Sequence, residues 1–270
     1  MDGNRLSISP HDLSAGLGSG TAPFVVDVRS DADFTNSSRL LGPAVHHSPD
    51  NVGQWRRDLP GGRQVVTYCL RGDQLSQGVA IALRAMGVGA YFLEGGVEGW
   101  TALGFPTRRN IGTHRGKWVT REHPKIDRIA CPWLILRFID PDAEFFYVPR
   151  DQVLTVAKQT GATPYDIDGV KFTHEGDRCS FDAIIRVYDI KDPALDRLAT
   201  IVRGADTSRP DLAPQCEGLL AISRGLSANF PADHEMLGHG LVIYDALYKW
   251  CRLEVEKQDL GSEPHAGIHT

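Results

Sequence analysis

The sequence predicts an α/β protein, with an N-terminal parallel sheet carrying helices on both faces and a helix-rich α+β domain after it. Short β-branched and aromatic runs, Phe24–Val28, Val65–Tyr68 and Tyr91–Leu93, alternate with helical patterns in the N-terminal part, which is how a chain of βαβ units reads. The composition then turns basic and poor in apolar residues over Thr107–Lys117, the signature of a connector. Beyond it the apolar segments are mostly of helical period. A chain of 270 residues has room for two ordinary domains. We divide it into residues 1–110 and 111–270, with 111–118 as an exposed linker free of chemistry.

Ser9 and Pro10 mark a helix start, the serine as N-cap and the proline at the first helical position. The Gly- and Ser-rich stretch 14–23 leads into the strand Phe24–Val28. Asp27 and Arg29, at its end, are expected to tie it to neighbouring loops by charged hydrogen bonds. His46 and His47 lack a third nearby ligand and read as packing or surface residues. Val65–Tyr68 reads as a buried strand and Gly78–Met86, with Val79, Leu83 and Met86 apolar, as a helix. After the connector, 125–140 is an apolar helix that Pro132 interrupts or opens. Glu144–Val148 follows as a strand, 151–158 as a helix, 163–166 as a turn and 183–188 as a helix. The last helix covers 241–255, with Leu241, Tyr244, Leu247 and Tyr248 on its apolar face.

The formal charge of -5 and the absence of a dense Lys/Arg block disfavour DNA as a partner and a membrane-surface helix. Five widely spaced cysteines without a Cys-x-x-Cys pair argue against a disulfide framework and fit a reducing compartment. No apolar leader opens the chain and no run approaches the length of a membrane span. The expectation is a soluble, cytoplasmic protein without a membrane partner, of a subunit count that the sequence leaves open.

Cys69 sits where a strand ends and a helix begins, in Tyr68-Cys69-Leu70-Arg71-Gly72-Asp73-Gln74-Leu75-Ser76. Amide N–H groups of such a turn, with the following helix N-terminus, favour an anion and a thiolate. A lone cysteine is more often buried and inert, but the flanking motifs reverse those odds. Val26-Asp27-Val28-Arg29, Gly42-Pro43-Ala44, the cysteine loop and Glu94-Gly95-Gly96 with Trp100 come in the order found in rhodanese domains. Residues 8–108 resemble that family. The resemblance implies Cys69 as a persulfide-carrying nucleophile, with Leu70, Gly72, Asp73, Leu75 and Ser76 lining the substrate and a thiosulfate-like sulfur compound as partner. The family's loop usually ends in an arginine where this chain has Gln74, which puts efficient thiosulfate turnover in doubt. Arg71 is the alternative source of that charge.

In the second half, His174 and Cys179 stand with carboxylates ahead of a helix, Asp206 follows another, and His234 opens the last. Together with Glu144 they form a candidate set for one divalent transition metal or one oxyanion. Each also has a structural reading, Asp182 and Asp233 as helix caps and Cys179 as core. His234 and His239 lie five apart, a poor spacing for two ligands on one helix face. Asp127-Arg128-Ile129-Ala130-Cys131-Pro132-Trp133, His174 to Asp182, Val202 to Asp206 and Tyr244 to Tyr248 resemble the C-terminal domain of the ChrB chromate-resistance family over about residues 115–255. That resemblance implies a role in chromate tolerance, with chromate itself a candidate ligand. Two readings stay open: a sulfurtransferase-like enzyme acting through Cys69, and a chromate or metal sensor whose rhodanese module does not turn over.

Overall fold

A computed structural model describes residues 5–112 and 116–261. The N-terminal strands are β1 (Ser7–Ile8), β2 (Phe24–Asp27), β3 (Arg39–Leu41), β4 (Val45–His46), β5 (Val65–Tyr68), β6 (Ala90–Leu93) and β7 (Thr107–Arg109). Its helices are α1 (Pro10–Gly16), α2 (Asp31–Asn36), α3 (Val52–Trp55), α4 (Gln74–Ala85) and α5 (Gly96–Ala102). The main sheet runs β1-β6-β5-β2-β4, all parallel. The central strands β2 and β5 are buried throughout, as their unbroken apolar runs require. Two separate apolar clusters, one around Tyr68, Leu93 and Trp100 and one around Phe24, Val65 and Leu83, cover its two faces.

Ser9 caps α1 by accepting the Asp12 amide N–H, with Pro10 at the first helical position. His46 stacks on Phe34 and His47 on Trp55, so both pack. The Asp27–Arg29 pair is buried, and Tyr68 donates its hydroxyl to Asp27 at 2.8 Å. The helix after the cysteine loop starts at Gln74, four residues ahead of the expected start at Gly78, because the loop's polar residues form its first turn. Thr107–Arg109 is not an exposed connector. It pairs antiparallel with β3, and Arg108 is buried. The remainder of the expected linker lies partly outside the described residues.

The second domain has strands β8 (Lys117–Arg121), β9 (Glu144–Val148) and β10 (Thr163–Pro164). Its helices are α6 (Asp127–Phe138), α7 (Val153–Thr160), α8 (Ser180–Tyr188), α9 (Pro193–Asp206), α10 (Gln215–Asn229) and α11 (Asp233–Gly261). Pro132 neither interrupts nor opens α6 but lies inside it, where Trp133, Phe181, Tyr244 and Tyr248 pack round the helix. Thr163–Pro164, expected as a turn, is the third strand of a parallel sheet ordered β10-β8-β9. Cys179 occupies the N-cap position of α8, where Asp182 accepts its amide N–H at 3.0 Å. Asp233 begins α11 and accepts the His123 amide N–H, so it fastens a loop instead of capping the helix.

The domains are tied at several points. Arg39 donates to Asp189 Oδ2 at 2.7 Å, Asp245 accepts the Gly20 amide N–H at 3.0 Å, and Arg252 donates to Ser14. All five cysteines are free and buried. No described helix is long and apolar enough to cross a membrane.

Candidate functional site

In the second domain the chain leaves the central strand β8 through α6 to β9 on one side, then returns through α7 to β10 on the other. Such a reversal opens a crevice beyond the carboxyl ends of the strands. Four titratable side chains meet there. Asp127 is the first residue of α6, preceded by Ile126 at φ 37°, an unfavourable region for a β-branched residue. That conformation is held by the Tyr244 hydroxyl on the Ile126 carbonyl at 2.8 Å and by the Ile126 amide on Ser223 Oγ at 3.0 Å. Asp166 follows β10, also at positive φ, His174 lies in the loop before α8, and Asp206 ends α9.

His174 Nε2 stands 3.2 Å from Asp206 Oδ2, 3.3 Å from Asp166 Oδ1 and 3.6 Å from Asp127 Oδ2. Asp127 is buried, and its carboxylate accepts the amide N–H groups of Ser180 and Phe181. Asp166 is buried as well. Its carboxylate takes the Arg121 guanidinium at 2.7 Å, Arg128 at 3.2 Å and the Ser180 hydroxyl at 3.1 Å. Asp127, His174 and Asp206 each offer one atom within 4.8 Å of the others, close enough to hold one metal ion. The His174 side chain is 40% exposed, which gives the cluster an open side.

The charges perturb one another. Hydrogen bonds to Asp127 and Asp166 raise the His174 imidazolium to about 10. Burial, reinforced by the Asp127 and Asp166 carboxylates, raises Asp206 to about 7. Burial opposes ionisation of Asp166, but the His174 and Arg121 hydrogen bonds prevail and lower it. A divalent ion would do what these protons now do, screen carboxylates that crowd one another.

Of the residues expected to share a site, His174 and Asp206 are brought together and the other three are not. His234 lies exposed against the Tyr147 ring, with centroids 5.4 Å apart. Glu144 is exposed at the opposite end of β9, near Lys117. Cys179 is fully buried and directs its thiol at Asp182, where burial first and then Asp127 and Asp182 push it far above the usual thiol range. Asp127 and Asp166 were missing from the expected set. One reads as a charge flanking an apolar helix and the other as a turn residue. The signal that finds Asp127 is an acid leading a helix apolar on all sides, where it has to be buried.

In the first domain Cys69 is buried between β5 and α4, its thiol 3.1 Å from Asp73 Oδ1 and 3.2 Å from Ser76 Oγ. The Gly95–Gly96 turn holds the loop. Val97 and Glu98 amides donate to the Cys69 and Leu70 carbonyls, and Gly96, at φ 56°, approaches so closely that a Cβ would lie 2.5 Å from the Cys69 oxygen. Gly72 is buried for the same reason, against the Leu93 carbonyl. Gln74 is exposed as the first residue of α4, and Leu70 and Leu75 are exposed beside it. Arg71 points to solvent and pairs with Glu98 at 3.2 Å. The group that receives the thiol is the Asp73 carboxyl.

Residues 118–251 match the family model of the ChrB C-terminal domain, and residues 9–103 match that of the Rhodanese-like domain. The chain is similar to Protein ChrB of Cupriavidus metallidurans, 34% identical over 143 residues, which cover 52% of this chain and 43% of that protein. It thus spans less than half the length of that relative. Among solved structures it is similar to a full-length protein from Lactobacillus plantarum (23% identity, 38% of this chain and 88% of that one, TM-score 0.35). Another is a rhodanese-related protein from Thermoplasma volcanium (21% identity, 37% and 95%, TM-score 0.33). A third is a rhodanese-like domain protein from Staphylococcus aureus (26% identity, 35% and 89%, TM-score 0.32). The chain joins a rhodanese-like domain to a ChrB C-terminal domain.

Proposed function

We propose that this protein serves chromate resistance through a divalent transition-metal centre in its second domain, formed by Asp127, His174 and Asp206. The observation that carries the reading is the approach of His174 Nε2 to two carboxylates, at 3.2 Å from Asp206 and 3.6 Å from Asp127. One imidazole and two carboxylates suit a first-row divalent ion, and three ligands leave positions for a further one. The partly exposed imidazole gives such a ligand a way in. In this reading the ion makes the second domain a sensor or a binding centre. Metal analysis of the chain purified without chelator tests it: one ion per chain is expected, and it should be absent from His174→Ala. A metal-free wild type that also fails to take up Mn2+, Zn2+ or Fe2+ would remove the centre.

A second reading rests on the cysteine loop. The glycine clamp that fixes the Cys69 carbonyl holds the thiol at the entrance of α4, where a persulfide would have amide N–H groups around it. Cys69 then carries sulfane sulfur for a small thiol or cyanide acceptor. The Asp73 carboxyl at 3.1 Å from the thiol disfavours an anionic donor such as thiosulfate, so this role is carriage more than turnover. Cyanolysis after incubation with a persulfide donor should release one sulfur per chain from the wild type and none from Cys69→Ser.

A further inference from the structure

Trp118 pairs with Thr163 of β10 and Phe145 of β9 near the start of β8, at the other end of that strand from Arg121 and the charged cluster. Its side chain is 1% exposed, and its indole N–H has no hydrogen-bond partner. A buried tryptophan ordinarily finds a partner for that N–H, because without one the donor keeps its desolvation cost. The ring packs instead against Phe172, with centroids 5.3 Å apart, and edge-on against Tyr165 at 6.2 Å. Phe172 in turn stacks on Tyr188 at 6.2 Å.

Trp118, Phe172 and Tyr188 also line a cavity of about 380 Å3, with Pro164 and Val170 completing its apolar wall. Small-molecule sites have this size and this make-up, apolar walls with a few polar groups that orient the ligand. Lys171 is the single charged residue of the lining among the described residues. It is exposed, with its ammonium 5.4 Å from the Phe172 ring centroid, and so marks the rim. No carboxylate among the described residues lines the cavity, so nothing there holds a cation. An anion set among three rings would lose its water for a single neutral N–H. A lone water molecule needs about two to four polar partners and would leave the rings wet. A flat, uncharged ring with a carbonyl oxygen covers the aromatic walls and supplies the acceptor that the indole lacks.

We propose that this cavity binds a planar, uncharged aromatic molecule bearing a carbonyl group, whose oxygen accepts the Trp118 indole N–H. The site is independent of the metal-centre reading and of the cysteine loop: Asp127, His174, Asp206 and Cys69 are all absent from its lining.

Proton–nitrogen correlation NMR of the full, isotope-labelled chain tests the site, with coumarin, a fused two-ring lactone, as the probe. The five tryptophans give five indole N–H signals, and that of Trp118 is assigned through its own backbone signals. A saturable shift of the Trp118 signal, larger than that of the other four, is expected. Chromene, the same ring system without the carbonyl, should bind at least about tenfold more weakly. Val170→Trp, at a half-buried position of the wall, fills the cavity and should abolish the shift while the melting temperature holds. An unmoved Trp118 signal at the solubility limit of coumarin overturns the proposal, as does a shift shared equally by all five indoles. A folded Val170→Trp that binds coumarin like the wild type overturns it as well. Equal affinity for coumarin and chromene does the same, and that comparison needs no variant.

Discussion

The Asp127 carboxylate accepts the Ser180 amide N–H at 2.8 Å, so the first residue of α6 is also the anionic cap of α8. It accepts the Phe181 amide as well, which places one acid at two helix N-termini. Asp127 and His174 should therefore differ when removed. Asp127→Ala loses charge-assisted hydrogen bonds and is expected to lower the stability of the metal-free protein by about 1.5–3 kcal/mol, besides losing the metal. His174→Ala, at a side chain 40% exposed, should lose the metal, and above about pH 10, where the wild-type imidazole is neutral as well, the urea midpoint of the metal-free protein should move far less. Equal midpoints for the two variants would contradict this division.

The raised imidazole gives the metal-free protein a signed pH dependence. Hydrogen bonds to Asp127 and Asp166 lift His174 from 6.5 to about 10. A group whose folded pKa lies above its unfolded one stabilises fully below the unfolded value, and that contribution disappears as pH rises through the folded value. Between pH 6.5 and about 10 the wild type should therefore lose melting temperature faster than His174→Gln. Parallel curves for the two proteins would show that the imidazole is not held by these carboxylates.

Cys69 lies in a loop, whereas Cys131, Cys216 and Cys251 lie within helices and Cys179 at a helix start. Cys69 should be alkylated first by iodoacetamide in the native protein, as read by peptide mass spectrometry over time. Asp73→Asn removes the carboxyl that receives the thiol, and sulfur transfer from thiosulfate to cyanide should rise. Gln74→Arg, which puts a cation at the first residue of α4, should add to it. Uniform labelling of all five cysteines, or two variants that match the wild type, would separate the loop from any sulfur chemistry.

Gly96 carries a test of the clamp. A methyl group there would stand 2.5 Å from the Cys69 carbonyl oxygen and 2.6 Å from the Leu70 carbonyl oxygen, at a φ of 56°. Gly96→Ala is expected to cost roughly 1–3 kcal/mol from the backbone alone and to speed alkylation of Cys69 as the loop loosens. Gly62→Ala has a similar φ with nothing within 4 Å, so it reports the backbone cost without the clash. If the two variants melt alike, close approach is not what holds the loop.

Much of the first domain was legible because its signals are local. β-Branched runs mark β2 and β5, and the Glu94-Gly95-Gly96 turn announces a close backbone approach in its composition. The second domain hid more. His174 and Asp206 stood out as polar breaks beside apolar segments, but their meeting depends on the parallel pairing of β8 with β10, where Trp118 aligns with Thr163. No local pattern reports a pairing across that distance. Asp127 and Asp166 looked structural because each is also structural, one capping α8 and the other holding two arginines. His234 misled for the opposite reason: a histidine in a helix's first turn looks purposeful, yet here it lies on the outer side, against Tyr147.

The contacts of α11 with the first domain bear on how the two halves communicate. Gly18 has no room for a Cβ against the Tyr248 ring, Arg252 reaches Ser14, and Trp133 and Arg137 share Asp245 with the Gly20 amide. The same helix lays Tyr244 on Ile126, one residue from Asp127. A single rigid rod thus touches both the shoulder of the rhodanese-like domain and the strained turn beneath the charged cluster. These contacts predict that the two halves melt in a single calorimetric transition and that a ligand of either half raises it.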